Sequence, residues 1–272
     1  NWDVFLSDNG TLADNYREKL AGLGVEFEEG GHTEQKILTA DEVVKSPGIP
    51  DTAPIVQKLL MQCKPVISEI EFAGRYNKAR TICITGSNGK TTTTTLIYKL
   101  LKEAAFNVGV AGNIGDSFAW QVAHESRDWY VIELSSFQLD GMSEFRADIA
   151  VLMNITPDHL DRYNGQMQRY IDSKMRIIRH QGYDDFFIYC EDDSNITAQL
   201  SKYELPMRLL PFSIHNHDKQ VRTAGHEHSK WQGSNLEGDS FFAVVGDRRF
   251  AMDTTALKIK GKHNIYNAQA AV

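Results

Sequence analysis

Short apolar runs alternate along the chain with stretches whose apolar residues recur every three or four positions. The apolar runs predict strands over residues 4–6, 43–44, 66–67, 81–85, 108–111, 130–134, 149–154 and 186–190. The recurring positions predict helices near residues 12–20, over 55–63, from the loop after residue 85 to about 104, and over 166–180. Alternation of this kind is typical of an α/β fold built on parallel strands with crossover helices.

A polar stretch at residues 74–80 divides this pattern, so we expect two domains, residues 1–75 and 76–272. The first is predicted to be Rossmann-like. The second is predicted to be a P-loop-type parallel-sheet domain, with a small antiparallel sheet where short strands and turn residues alternate between residues 207 and 252. The chain begins almost on a strand and stops within a helical pattern without a cap, which leads us to expect a fragment of a longer protein.

Composition narrows the partners. The chain has 272 residues, 42% of them hydrophobic and 24% charged, and a net charge of -7. No apolar run approaches the length of about 20 residues that crosses a bilayer, and an acidic chain is a poor match for a broad nucleic-acid surface. We therefore expect no membrane and no nucleic-acid partner. Cys63, Cys83 and Cys190 are interpreted as small buried hydrophobic residues in a reducing cytoplasm.

A loose histidine cluster, His215, His217, His226 and His228, lies in polar, turn-like sequence. Histidine is a common metal ligand, but the composition of this segment favours an exposed loop that binds no metal.

A phosphate-binding loop is the strongest chemical signal. An apolar strand runs into Gly86-Ser87-Asn88-Gly89-Lys90-Thr91-Thr92, and a helix follows. Glycines let backbone N–H groups approach phosphate oxygens, and the helix N-terminus adds positive potential. Lys90 would reach the outer phosphates and Thr91 would offer its hydroxyl to Mg²⁺. The common P-loop has glycine where this chain has Ile84, so the loop is a variant form.

Two further strands end in polar side chains. Glu133 stands at the end of one apolar run, and His159 follows the next one along the chain. Ligands of parallel sheets bind outside the carboxyl ends of the strands, and a carboxylate there can hold Mg²⁺ beside a nucleotide. Each residue alone is also compatible with an ordinary structural role.

Three segments together resemble the Mur ligase family. They are Thr-Gly-Ser-Asn-Gly-Lys-Thr-Thr (85–92), Glu-Leu-Ser-Ser-Phe-Gln-Leu (133–139) and Asn-Ile-Thr-Pro-Asp-His-Leu-Asp-Arg-Tyr (154–163). The second and third take the form found in the D-glutamate-adding members. Gly-Asn-Ile-Gly (112–115), the segment around Lys174 and Gly-Lys-His-Asn-Ile-Tyr-Asn-Ala (261–268) also resemble motifs of this family.

The resemblance implies roles for individual residues. The catalytic set would be Lys90, Glu133, His159 and Lys174, with Thr91, Glu133, His159 and Lys174 as magnesium ligands. A lysine on a helix is ordinarily solvated, but in this family the matching lysine is carbamylated by CO₂. ATP would be bound by the loop from Gly86 to Thr92 and by Asn264 and Asn267. The second substrate would be bound by Asp8, Asn9, Ser46, Gly48, Asn113, Ser135, Gln138 and His159, with Ser136 beside them.

The implied reaction is the ATP-dependent joining of D-glutamate to UDP-N-acetylmuramoyl-L-alanine. The expected cofactors are ATP and Mg²⁺, with two magnesium ions and a carbamylated Lys174. The expected protein is cytoplasmic and monomeric. In this family, a further C-terminal domain helps to bind ATP and the incoming amino acid.

Three other interpretations compete with this one. Another amide ligase of the family, such as folylpolyglutamate synthase, is disfavoured by the Ser-Ser-Phe-Gln-Leu segment. A P-loop NTPase switch would need an aspartate after the second strand and switch loops. A dinucleotide-binding protein without catalytic activity would need Gly-x-Gly-x-x-Gly after a strand, which this chain lacks.

Overall fold

The structure is a computed structural model that describes residues 2–215 and 232–272. Contacts between Cα atoms divide the chain into two compact units, Asn1–Ile67 and Ser68–Val272. The division after residue 67 lies several residues before the boundary at residues 75 and 76 that the polar stretch predicts. No helix in the described ranges combines the length and apolar character needed to span a bilayer.

The first unit consists of parallel strand–helix–strand elements. In chain order they are β1 (Phe5–Asp8), α1 (Asp14–Gly22), β2 (Glu26–Glu29), α2 (Glu34–Ile37), β3 (Val43–Val44), α3 (Pro54–Met61) and β4 (Val66–Ile67). Strand β1 pairs with β2, and β3 pairs with β4, both in parallel. The sequence pattern predicted β1, β3 and β4 but not β2, because a strand reading Glu-Phe-Glu-Glu carries little apolar signal.

The second unit is built on one sheet. Its helices and strands are α4 (Glu69–Gly74), β5 (Arg80–Thr85), α5 (Lys90–Glu103), β6 (Val108–Gly112), α6 (Phe118–His124), β7 (Trp129–Glu133), α7 (Ser136–Asp140), β8 (Ile149–Leu152), α8 (Met167–Met175), β9 (Phe186–Cys190), α9 (Ser194–Leu200), β10 (Arg208–Ser213), β11 (Gly233–Glu237), β12 (Ser240–Val245), β13 (Arg248–Asp253) and α10 (Lys262–Ala271). The nine strands lie in the order β13-β12-β11-β10-β9-β8-β5-β7-β6.

The predicted small antiparallel sheet is part of this larger sheet. Strand β10 pairs in parallel with both β9 and β11. Among the strands that the structure describes, only β11, β12 and β13 pair in antiparallel fashion. Turn residues between short strands indicate hairpins, but they carry no information about which strand joins the hairpins to the rest of the sheet.

The hydrophobic core is built around the central strands of the large sheet. Cys83, Ile84, Val131, Ile132, Val151 and Leu152 are fully buried in β5, β7 and β8. Continuous burial along a strand is typical of a parallel sheet covered on both faces. Cys190 is also buried, as expected, whereas Cys63 is exposed. The prediction for Cys63 is therefore wrong: it follows the end of α3 with φ of 54°, outside the apolar helix face.

Helix α4 is fixed by a buried carboxylate. Glu71 is 1% exposed and accepts hydrogen bonds from the backbone N–H groups of Ser143 (2.9 Å), Glu144 (3.1 Å) and Phe145 (2.9 Å). Burial acts to raise the pKa of Glu71, but these three backbone donors outweigh it and the pKa is lowered. The helix therefore depends on an ionised carboxylate.

We expect Glu71→Ala to lower the free energy of unfolding of the full-length protein by about 2–3 kcal/mol at pH 7, because buried N–H groups lose their acceptor. Chemical denaturation measures this, with Glu103→Ala, at an exposed position on α5, as the control. The pKa of Glu71 is lower in the folded protein than the unfolded value of about 4.3. The carboxylate therefore stabilises the fold above that pH, and this stabilisation is lost as the pH falls through the folded pKa. The difference in unfolding free energy between wild type and variant should thus become smaller in acid, and equal stability at pH 7 would contradict this role of Glu71.

Candidate functional site

The candidate site lies where three neighbouring strands end. The sheet order places β5 between β8 and β7, and all three run in parallel. The loop after β5, the carboxylate Glu133 at the end of β7 and the segment after β8 therefore meet at one edge. The sequence identified each segment separately, and the strand order brings them together.

Two glycines give the phosphate loop its shape. Gly86 has φ of 152° and Gly89 has φ of 85°, in the region that glycine favours. A Cβ on Gly86 would lie 2.8 Å from the Cβ of Met153. A Cβ on Gly89 would lie 2.4 Å from Oδ1 of Asn267, a residue of the distant helix α10. The backbone of the loop thus approaches both the end of β8 and α10 more closely than a side chain allows.

The hydroxyl of Ser87 fixes the loop to the segment after β8. It donates to the carbonyl of Thr156 (2.8 Å) and accepts from the N–H of Thr156 (2.9 Å). The hydroxyl of Tyr170 lies 3.0 Å away. Because the single proton of Ser87 goes to Thr156, Tyr170 is the donor in that contact. Every hydrogen-bonding position of this hydroxyl is therefore used.

The side chain of Asn154 also fixes the loop, through two hydrogen bonds to the backbone of Asn88. Its Oδ1 accepts from the N–H of Asn88 (2.8 Å) and its Nδ2 donates to the carbonyl of Asn88 (2.9 Å). In addition, the N–H of Ser87 donates to the carbonyl of Asn154 (2.9 Å). Sequence reasoning missed Asn154 and Tyr170 as loop supports, since their signal is their closeness to the loop in space.

Lys90 folds back over the loop that precedes it. Its Nζ donates to the carbonyls of Gly86 (2.9 Å) and Ser87 (3.0 Å). Burial lowers the pKa of Lys90, although the carboxylates of Glu133 and Asp158 act in the opposite direction. The ammonium group therefore stands beside the loop, at the first residue of α5.

The carboxylate of Glu133 is 1% exposed and both of its oxygens are engaged. Oε2 accepts from the hydroxyl of Thr91 (2.8 Å), and Oε1 accepts from Nδ2 of Asn113 (2.8 Å). Gly112 makes this approach possible, because a Cβ there would lie 2.2 Å from the carbonyl oxygen of Glu133. Three predicted site residues, Thr91, Asn113 and Glu133, thus form one contact group.

Lys174 is buried instead of solvated. It is 2% exposed, its Nζ donates to the carbonyl of Gly86 (2.9 Å), and the ammonium lies 4.6 Å from the ring centre of Tyr170. Because Lys90 donates to the same oxygen, the two Nζ atoms lie no more than twice a hydrogen-bond length apart. Burial, and then repulsion by Lys90, lower the pKa of Lys174 to about 7.

His159 stands apart from this group. It has φ of 48°, an uncommon conformation for histidine that recurs at functional sites. Its side chain is 60% exposed, with Nε2 3.6 Å from the carboxylate of Asp158 and its ring 5.4 Å from that of Phe137. Within residues 2–215 and 232–272, no three His, Cys, Asp or Glu side chains are grouped to hold a metal ion.

Ser135 and Gln138 form the N-terminal cap of α7. The Ser135 hydroxyl accepts from the N–H of Gln138 (3.3 Å), and Oε1 of Gln138 accepts from the N–H of Ser135 (3.0 Å). This reciprocal capping box stabilises the start of the helix beside Glu133. The neighbouring Ser136 is buried, and its carbonyl accepts from the hydroxyl of Ser173 (2.9 Å).

Helix α10 brings one predicted nucleotide contact, Asn267, against the loop, and Asn264 is bonded to it. Asn267 is 4% exposed; its Oδ1 accepts from Thr93 on α5 (3.4 Å) and its Nδ2 donates to Oδ1 of Asn264 (3.0 Å). Thr92, also predicted for the nucleotide, is partly buried in the first turn of α5.

The predicted substrate residues of the first unit follow two of its strands. Asp8 ends β1 and accepts from the N–H of Gly10 (2.7 Å), with Asn9 exposed between them. Ser46 and Gly48 lie in the turn after β3, at the carboxyl end where ligands of parallel strands bind.

The histidine cluster is only partly described. The N–H of His215 donates to the hydroxyl of Ser213 (2.9 Å). His217, His226 and His228 lie outside the described residues.

Known proteins match this chain along almost its whole length. Residues 84–272 match the Mur ligase middle domain, and residues 1–54 match the MurD N-terminal domain. The chain is 52% identical over 271 residues to the UDP-N-acetylmuramoylalanine–D-glutamate ligase of Bacteroides fragilis, covering 99% of this chain and 58% of the relative. The ligase of the same name from Porphyromonas gingivalis is 47% identical over 267 residues, with coverage of 98% and 57%. The chain thus spans a little under three fifths of the length of these relatives.

Solved structures share the fold at low identity. The UDP-N-acetylmuramate:L-alanyl-γ-D-glutamyl-meso-diaminopimelate ligase of Neisseria meningitides superposes with a TM-score of 0.60 at 17% identity, covering 98% of this chain and 83% of that one. The UDP-N-acetylmuramate-alanine ligase of Thermotoga maritima gives 0.51 at 20% identity, with coverage of 98% and 57%. The predicted α/β fold with a mostly parallel sheet is confirmed.

Substitution of Gly89 tests the shape of the loop. We expect Gly89→Ala to weaken the affinity of the full-length protein for ATP by about tenfold or more, or about 1.4 kcal/mol, since the new Cβ strains φ and meets Asn267. Equilibrium binding of a fluorescent ATP analogue measures this. Gly182→Ala is the control, because its nearest neighbour lies 4.0 Å away. Unchanged affinity in Gly89→Ala would show that this close approach does not shape the loop.

Proposed function

This chain belongs to the Mur ligase family, and on that premise we propose that the full-length protein is an ATP-dependent ligase that joins D-glutamate to UDP-N-acetylmuramoyl-L-alanine. The observation that carries the proposal is the cation pair on the carbonyl of Gly86, formed by Lys90 and Lys174 beside the buried carboxylate of Glu133. The high identity to D-glutamate ligases over both matched regions supports the choice of amino acid.

The first half-reaction is phosphoryl transfer. A carboxylate oxygen of the UDP-linked substrate attacks the γ-phosphorus of ATP, the bond to the β–γ bridging oxygen breaks, and an acyl phosphate and ADP result. Such a step depends mainly on positioning and charge neutralisation. The N–H groups of Gly89, Lys90 and Thr91 would hold phosphate oxygens, since those of Ser87 and Asn88 already donate to Asn154. Lys90 would exchange its bonds to the carbonyls of Gly86 and Ser87 for bonds to the outer phosphates.

The second half-reaction forms the amide. The amine of D-glutamate attacks the acyl carbon, the bond between carbon and the phosphate oxygen breaks, and inorganic phosphate leaves with the proton lost by the amine. Asn113, Gln138 and His159 are proposed to position the acceptor at this edge of the sheet. Asp8, Asn9, Ser46 and Gly48 are proposed to bind its UDP portion.

Hard oxygen ligands at the end of β7 fit magnesium. Glu133 and Thr91 are in contact through atoms that Mg²⁺ prefers, a carboxylate and a hydroxyl oxygen. They would hold one ion, with His159 and a modified Lys174 serving a second. Bound magnesium would neutralise charge on the transferred phosphoryl group.

Asn264 and Asn267 are proposed to contact ATP. The full-length protein is proposed to act as a monomer in the cytoplasm.

Lys174 is proposed to carry a carbamate. Its neutral amine would attack the carbon of CO₂: an N–C bond forms, one C=O π bond opens onto oxygen, and the nitrogen loses one proton to solvent. The neutral amine thereby becomes an anionic carbamate. A buried ammonium next to Lys90 is electrostatically unfavourable, whereas a carbamate beside Lys90 and Mg²⁺ is favoured. The depressed pKa of the Lys174 amine, about 7, supports its availability for this reaction.

Phosphate release by the full-length protein tests the function. With ATP, Mg²⁺ and UDP-N-acetylmuramoyl-L-alanine, we expect release with D-glutamate and not with L-glutamate, L-alanine or meso-diaminopimelate. Lys90→Ala should reduce turnover by about 100- to 1,000-fold, as expected when a charged contact to the transition state is lost. Lys99→Ala, an exposed lysine on the same helix, is the matched control. Turnover with another amino acid instead of D-glutamate would contradict the proposed substrate.

The carbamate has its own test. Lys174→Ala should lose activity, and a short-chain carboxylic acid should restore part of it by placing an anion in the vacated space. The matching primary amide, which has a similar shape and no charge, should not restore activity. Full activity of Lys174→Ala without additive, or equal rescue by the amide, would exclude an anion at this position.

A further inference from the structure

One face of helix α10 lies against the phosphate loop, and its other face is attached to the ends of two strands of the sheet. Asn267 lies against Gly89 of the loop and Thr93 of α5, and it donates to Asn264. Tyr266 and Gln269, three residues apart and so on a common helix face, reach the ends of β9 and β10 instead. The same short helix therefore carries nucleotide contacts and anchors.

The first anchor is the carboxylate of Asp192, which follows β9. Its Oδ2 accepts from the hydroxyl of Tyr266 (2.8 Å) and from the N–H of Ile214 (2.9 Å). Its Oδ1 accepts from the hydroxyl of Ser213 (2.6 Å). Burial, and then the bond to Asp192, raise the pKa of Tyr266, so its hydroxyl stays a donor. Hydrogen bonds to a carboxylate are about twice as strong as neutral ones.

The second anchor is Gln269, which is 3% exposed. Its Nε2 donates to the carbonyl of Ser213 (2.8 Å). Tyr266 and Gln269 thus both connect α10 to the segment around Ser213, one through a carboxylate and one directly. Two attachments one turn apart fix the rotation of the helix about its axis as well as its position.

The rotation matters because there is little free space on the loop side. Asn267 approaches Gly89 so closely that a Cβ on Gly89 would lie 2.4 Å from its Oδ1. A shift of α10 by a few tenths of an ångström would therefore move the Asn267 amide relative to the phosphate loop. Small misplacements of binding groups weaken the interactions they make.

We propose that Tyr266 is a positioning residue: through Asp192 it sets the orientation of α10 and thereby the affinity of the site for ATP. The inference rests on the proposed function, since it assumes that Asn264 and Asn267 meet the nucleotide. Tyr266 itself does not touch the reacting atoms.

The test is Tyr266→Phe in the full-length protein, which removes one oxygen and keeps the ring. We expect the KM for ATP and the Kd of a fluorescent ATP analogue to rise by about three- to tenfold, the size expected for one hydrogen bond to a charged group. The KM for the UDP-linked substrate should stay unchanged, and kcat should change by less than about twofold. Tyr183→Phe, at a side chain 81% exposed, is the matched control.

A double-mutant cycle separates positioning from general loss of stability. Asp192→Ala and Tyr266→Phe should each weaken ATP binding. Adding Tyr266→Phe to Asp192→Ala should weaken it no further, because Asp192→Ala already removes the acceptor of the Tyr266 hydroxyl. If Asp192→Ala does not fold, the direct binding measurement on Tyr266→Phe decides alone.

Two outcomes overturn the inference. One is a Tyr266→Phe protein with a lower melting temperature and unchanged ATP affinity, which would show a merely structural bond. The other is an equal rise in KM for both substrates. A wild-type protein that binds ATP but ligates no amino acid would refute the proposed function and leave the binding test of Tyr266 valid.

Discussion

The parallel pairing of β5 with β7 on one side and β8 on the other is the constraint on which the site depends. It places a glycine loop, a buried carboxylate and an asparagine-led segment at one edge. Since parallel strands all point the same way, their carboxyl ends meet there without any further device. The hydrogen bonds from Asn154 and Thr156 to the loop become possible only because β8 is a direct neighbour of β5.

The charge at this edge favours a polyanionic ligand. Lys90 and Lys174 share the carbonyl of Gly86; Lys174 is buried and Lys90 is partly buried. Burial, and then repulsion by Lys90, lower the pKa of Lys174 to about 7. Phosphate, magnesium-bound nucleotide or a carbamate would each relieve that repulsion. The loop is therefore held both by neutral hydrogen bonds to Asn154 and Thr156 and by the two lysine side chains.

The contact between α10 and the start of α5 joins distant parts of the chain. Asn267 and Thr93 are 174 positions apart in the chain yet in contact. The helix reaches the loop because Tyr266 and Gln269 attach its other face to the ends of β9 and β10. Precise placement of a few side chains by surrounding contacts is what a binding site requires. This attachment gives the polar residues after β9 a structural purpose that their sequence did not suggest.

Local sequence determined the α/β class, the central strands and the loop from Gly86 to Thr92, because buried strands and glycine turns leave their mark in neighbouring residues. It identified Glu133 as a candidate, whereas Lys174 was identified only through the resemblance to the family. The burial of Lys174 and its contact with Gly86 came only from packing. Local sequence also missed α4, whose anchor Glu71 bonds to N–H groups more than seventy positions away. Strand order, pairing of the edge strands and the partners of each polar group were decided by tertiary structure. The physical reason is that these features depend on contacts between distant segments, which no local pattern of residues encodes.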